Sequence, residues 1–246
     1  MSDVFSAGQW ARLLVGLAGA FTLFQGSAVA LGSDRGQAGL LVAALVVGCV
    51  LAAERAWFSS TLRAAARAVG LGPPRPAGLV LSALVSALLV LVVPAFAWST
   101  GSAVSVEPDT IRLLPGLFAQ GGLAEETLFR GYLFGHLRRG RSFWRAATLS
   151  MLPFVAVHLL LFLTMPWPVA LAAVALSAAM SFPFAWLYEV GGAAIWAPAL
   201  LHVVVQSTPK LVVFSGDAAP VFPRIWMASS AVAAATVFLV RRPRPA

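Results

Sequence analysis

The stretch Gly122–Leu137, GLAEETLFRGYLFGHL, sets two adjacent glutamates, Glu125 and Glu126, and an arginine, Arg130, inside an otherwise apolar run. Ionisable groups at bilayer depth cost roughly 2.5–3.5 kcal/mol each on insertion scales, so they face a protein interior or a wet cavity and mark function. Only two other ionisable residues fall deep inside apolar runs, His158 and His202. The rest of the chain reads as the scaffold around these groups.

Composition bounds that scaffold. The 246 residues are 60% hydrophobic and 11% charged, with a mean hydropathy of +0.88. A soluble domain carries about 25% charged residues. Ala, Leu, Val and Gly dominate and no ten-residue alternating strands occur, which argues against a β-barrel and predicts an all-α polytopic membrane bundle. The net charge of +8 does not indicate nucleic acid, because the arginines cluster in short loops beside apolar spans. The lone Cys49 excludes an intramolecular disulfide and a CxxC metal site. MSDVFSAGQW lacks a basic n-region, so the first apolar run reads as a retained span rather than a signal peptide.

Eight spans are predicted, near Ala11–Leu31, Ala38–Ala53, Gly78–Trp98, Arg112–Leu137, Ala146–Leu163, Pro168–Tyr188, Ala193–Phe214 and Phe222–Val240. The segment between spans two and three, with Arg63 and Arg67 one turn apart, reads as a helix lying on the membrane surface and broken by the prolines that follow. With eight spans, the Arg55–Arg75, Arg138–Arg145 and Arg241–Arg244 groups share one side, while Arg35, Arg112, Lys210 and Arg224 lie on the other. Both termini are therefore expected in the cytoplasm. The eight tryptophans fall near span ends, as in an aromatic belt.

Counting about 1.5 Å per residue puts Glu125 and Glu126 roughly 16–18 Å from the cytoplasmic face, His158 roughly 18–20 Å and His202 roughly 13–15 Å, one shared level. Glu126 and Arg130 are i, i+4 and predict an ion pair. Glu125 points about 100° away and is free to act as a general base on water, which His158 could share. Phe154, one turn before His158, sets an aromatic ring against the imidazole. His202 and Gln206 are again i, i+4, and their N–H groups are candidate oxyanion donors. Pro198 is expected to bend span seven and Pro183 to kink span six. His136, beside the basic loop, reads as interfacial; Glu189 reads as a loop residue; Gly131 and Gly135 read as a close-packing GxxxG pair.

These motifs, EExxxR at 125–130, FxxxH at 154–158 and HxxxQ at 202–206, resemble the CPBP family of intramembrane proteases: type II CAAX prenyl endopeptidases and the bacteriocin-processing and self-immunity (ABI) proteins. The resemblance covers roughly Arg112–Phe214. It implies an eight-helix core with a cytoplasm-facing intramembrane cavity, and hydrolysis of a peptide bond in a membrane-associated protein or peptide. By it, Glu125 and His158 activate water, His202 and Gln206 hold the oxyanion, and Glu126 and Arg130 form the structural pair. Metal dependence is disputed for the family, and Glu125, His158 and His202 are acceptable zinc ligands. The family has Asn or Asp where this chain has Gln206, one methylene longer.

The whole chain, 1–246, reads as a single integral membrane domain: 1–98 N-terminal spans and surface helix, 112–214 protease-like core, 222–246 last span and basic tail. Its Ala/Arg/Gly-rich composition points to a bacterial inner membrane. Partners are the lipid bilayer and the substrate, with no nucleic acid. Two alternatives stand beside the protease: a non-catalytic immunity or partner-binding member, and a proton-coupled transporter using Glu125 and the histidines as a relay. No inverted repeat supports the transporter.

Overall fold

The computed structural model describes residues 5–31 and 36–242. The loop with Arg35 and the tail with Arg244 lie outside them. The chain is a polytopic helical bundle: α1 Ala7–Ala30, α2 Gln37–Trp57, α3 Leu62–Ala68, α4 Pro76–Val90, α5 Val92–Thr100, α6 Thr110–Leu117, α7 Gly135–Arg138, α8 Phe143–His158, α9 Trp167–Val190, α10 Trp196–Leu211 and α11 Phe222–Ala235. Between α6 and α7 the chain stays helical but widens into two π-helical stretches, Phe118–Glu125 and Thr127–Phe134. The run 110–138 is thus one helix, called here the site helix. A two-stranded antiparallel sheet pairs β1 (Val104–Val106) with β2 (Val212–Phe214).

Among the described residues, six helices have the length and hydropathy of a membrane crossing: Ala7–Ala30, Gln37–Trp57, Pro76–Thr100, Phe143–Leu163, Trp167–Val190 and Ala219–Leu239. The other two predicted spans correspond to the site helix and α10. They run between the same two ends of the bundle, but one carries Glu125, Glu126 and Arg130 and the other is only 16 residues long.

Those two ends are fixed by side-chain and backbone ties. At one, the arginine end, Arg138 of α7 and Arg242 of the tail both pair with Glu189 of α9. There too Arg141 lies over the rings of Phe5 and Trp10, Arg75 donates its N–H to Gly191, and Ile195 donates to Gly70. At the other, the β end, Glu107 donates its N–H to the Leu211 carbonyl beside the β1–β2 pairing. Glu189 is therefore a half-buried ion-pair centre rather than a loop residue.

The site helix is central and packs on α1, α2, α8, α9 and α10. Small residues allow this. A Cβ on Gly131 would lie 2.0 Å from the Val69 carbonyl oxygen, and one on Gly39 would lie 2.3 Å from the Gly116 oxygen. α3 is seven residues long, capped by Thr61, with Arg63 and Arg67 exposed and Ala65 buried. The turn that follows it, through Val69, wedges against the site helix, so the segment is built into the bundle rather than merely laid on it. Trp226 is also a core residue, 1% exposed, donating Nε1–H to Val205 O at 2.7 Å. Pro198 stands in the first turn of α10, where its missing N–H has no partner to lose. It starts the helix instead of bending it. α9 runs on through Pro183.

Candidate active site

The site begins with the glycines of the site helix. Gly121 and Gly122 face α10 so closely that a Cβ would meet Gln206 Nε2 at 1.5 Å and Ala199 O at 3.0 Å, respectively. This approach brings His202 onto Glu126. Pro115 and the Gly-Gly pair also stand where the α-helix gives way to π turns. Such widening recurs at functional sites. Since π turns rise less per residue, the depth counted for an α-helix overstates how far Glu125 lies from the arginine end.

Glu126 is fully buried and holds two partners on one oxygen. Arg130 donates from Nη1 to Oε1 at 3.1 Å, and His202 donates from Nδ1 to the same oxygen at 2.6 Å. The Arg130 guanidinium also lies over two rings, 4.2 Å from the Phe154 centroid and 4.9 Å from that of Phe184. Phe184 in turn stacks on His202, 5.0 Å apart and 21° from parallel. The cation and the carboxylate are thus compensated inside the bundle by each other, by an imidazole and by two π faces.

Glu125 is the half-buried partner of the pair. Its Oε2 lies 3.8 Å from His202 Nε2, too long for a direct hydrogen bond. With Nδ1–H committed to Glu126, neutral His202 presents the Nε2 lone pair toward Glu125; the imidazolium form presents an N–H there instead. His158 donates Nδ1–H to the Phe154 carbonyl at 2.7 Å, which leaves its own Nε2 as an acceptor. The Phe154 ring stands edge-on to it at 4.6 Å.

Three cavities meet at Glu125. One, of about 370 Å³, also touches His158, His202, Gln206, Ser177 and Trp226. A second, of about 340 Å³, runs between α1 and α8 past Gln25, His158 and Thr164. A third, of about 300 Å³, reaches Ala38, Gln120, Gln206 and Lys210. Glu125 lines all three. The structure therefore brings Glu125, Glu126, Arg130, Phe154, His158, His202 and Gln206 to one place.

Gln206 is differently occupied. Its Nε2 donates to Leu117 O at 2.9 Å, across Gly121. The extra methylene lets the amide reach a backbone carbonyl at the start of the π stretch, so one of its two amide hydrogens is spent there. A zinc ion needs three protein donors each about 2.0–2.2 Å from one point. No three His, Cys, Asp or Glu side chains gather in that way among the described residues, and His202 Nδ1 is already held by Glu126. The donor set does not fit zinc.

Sequence reasoning left out Phe184, the Glu126–His202 bond and the Gly121–Gln206–Leu117 contact. It also missed a second buried couple. His136 is fully buried, not interfacial: it donates Nδ1–H to Tyr132 O at 2.8 Å and sets Nε2 3.3 Å from Glu54 Oε2.

A family model, Type II CAAX prenyl endopeptidase Rce1-like, matches residues 107–208. Comparison with curated proteins and with solved structures returns no match. The matched range holds every residue of the cavity cluster from Glu125 to Gln206. Over residues 107–208 the chain is similar to the Rce1-like family, a likeness in keeping with the CPBP proteases.

Proposed function

We propose that this protein is an intramembrane endopeptidase that hydrolyses a peptide bond in a membrane-associated protein or peptide. The observation that carries this reading is Glu125, a carboxylate set where three cavities meet, 3.8 Å from an imidazole that a buried glutamate holds by its other nitrogen. The Rce1-like match supports protease chemistry in general.

The residues divide as follows. Glu125 takes a proton from a water molecule as its oxygen attacks the scissile carbonyl, while His158 Nε2 accepts the water's second hydrogen in a hydrogen bond and aims it. General base catalysis of this kind contributes about 10²–10⁴-fold. The carbonyl oxygen becomes an oxyanion and meets the imidazolium form of His202, whose charge is compensated by Glu126. The remaining hydrogen of the Gln206 amide is a second donor; one such donor is worth about 10²–10³-fold. The proton on Glu125 then passes to the leaving amine as the C–N bond breaks. Glu126 and Arg130 act as positioning residues that fix the orientation of the His202 ring.

The test incubates purified wild type and Glu125→Ala with host membranes and reads new peptide termini by mass spectrometry. New termini in wild type alone are expected. No difference overturns proteolysis. The Gln206 bond to Leu117 then favours the second reading, a non-catalytic immunity or partner-binding member.

A further inference from the structure

The cavity of about 340 Å³ between α1 and α8 has a mostly apolar wall of phenylalanines and leucines with Val157. Among the described residues, four polar side chains break that wall: Gln25, Glu125, His158 and Thr164. Glu125 and His158 are assigned to the water above. Thr164 turns its hydroxyl back to the Leu161 carbonyl, at 3.4 Å. Gln25 is left without a role.

Gln25 belongs to α1, which lies outside the residues 107–208 of the family match. It follows Phe24 directly and stands one turn after Phe21, so one face of α1 carries both rings and the amide. Phe24 is buried, and Phe21 and Gln25 are half-buried. A glutamine in a membrane span commonly bonds a neighbouring helix. This one does not: among the described residues its amide has no hydrogen-bond partner. The contrast is Gln206, which spends part of its amide on the Leu117 carbonyl. Gln25 keeps its carbonyl and both amide hydrogens for something in the cavity.

A polypeptide that reaches Glu125 along such a wall brings its backbone N–H and C=O groups with it. Each is costly in apolar surroundings unless it is paired. The phenylalanine and leucine side chains offer nothing to pair with. A primary amide serves both kinds of group, because its carbonyl accepts from an N–H and its NH₂ donates to a C=O. Phe24 and Glu125 also line the cavity that reaches Gln206, so a chain held at Gln25 is held beside the general base.

We propose that Gln25 is a substrate-binding residue, whose amide pairs with the main chain of the polypeptide next to the scissile bond. Its ligand is an extended peptide backbone rather than a particular side chain. The inference rests on the proteolytic reading.

Gln25→Met tests it, since methionine matches the length of glutamine and removes both hydrogen-bonding groups. Thr22→Val, at an exposed position of the same helix, is the reference. Wild type and both variants are purified and compared in detergent for thermal midpoint. They are then assayed on a synthetic peptide spanning a bond that wild type cleaves in host membranes. Gln25→Met should raise KM about tenfold with a smaller change in kcat, as expected when binding shared by the ground and transition states is lost. Its midpoint should stay at the wild-type value, because no bond within the protein is broken. Thr22→Val should keep the wild-type KM. A wild-type KM in Gln25→Met, or an equal rise in Thr22→Val, overturns the inference while proteolysis stands. Absence of new termini with wild type itself overturns proteolysis and this inference together.

Discussion

The bundle holds two glutamate–histidine couples, and they differ in what surrounds them. At the arginine end His136 is walled by Phe5, Phe58 and Tyr132, with Phe58 at 4.4 Å. Its Nδ1–H is spent on a backbone carbonyl, so the 3.3 Å approach of Nε2 to Glu54 needs one shared proton between them. Glu54 also accepts from Ser59 at 2.8 Å. Neither side chain has exposed surface. In the middle of the bundle His202 is likewise anchored through Nδ1, but to a carboxylate, and its Nε2 faces a second carboxylate across 3.8 Å at the edge of a cavity. The chemical parts are nearly the same. Access and a spare carboxylate separate a site from a rivet.

The comparison is broken most severely at Arg130. Arg130→Ala leaves Glu126 buried without its cation, and removing one partner of a buried pair costs about 3–5 kcal/mol. Thermal unfolding in detergent should show a large fall in midpoint, with proteolysis lost as well. His136→Ala tests the other couple. It leaves the buried Glu54 carboxyl short of a partner, at about 1–3 kcal/mol. The midpoint should fall while cleavage per folded molecule stays at the wild-type level. A loss of turnover in folded His136→Ala would mean that the dry couple is part of the chemistry. Gln206→Ala is the mildest change. It removes one hydrogen bond to Leu117, about 0.5–1.5 kcal/mol, and one candidate oxyanion donor. A small stability loss should accompany a larger loss of kcat than of affinity.

How far all this could be read from the sequence follows the same division. Glu125, Glu126, Arg130, His158 and His202 stood out because charge is rare in apolar runs, and their order along the chain places them on three packed helices. The helical class followed from composition alone. Contacts made between distant positions left no such mark. Phe184 is one of many apolar residues in α9 until the fold stacks it on His202. Gly121 carries no signal of its own in the sequence; the fold sets Gln206 in the space its missing side chain leaves. His136 sits beside an arginine-rich loop, a place that suggests an interface, yet Phe5 and Phe58 cover it and Glu54 faces it. The π widening also escapes a rule built on 3.6 residues per turn.

The division of labour between the adjacent glutamates is the centre of the account. Glu125→Gln and Glu126→Gln, measured side by side for thermal midpoint and for new termini in host membranes, test it most directly. Glu125→Gln should keep the wild-type midpoint and lose cleavage by about 10²–10⁴-fold, the range for a general base. Glu126→Gln should lower the midpoint, because Arg130 loses its counter-charge. Cleavage retained in Glu125→Gln, with folding intact, would contradict the account.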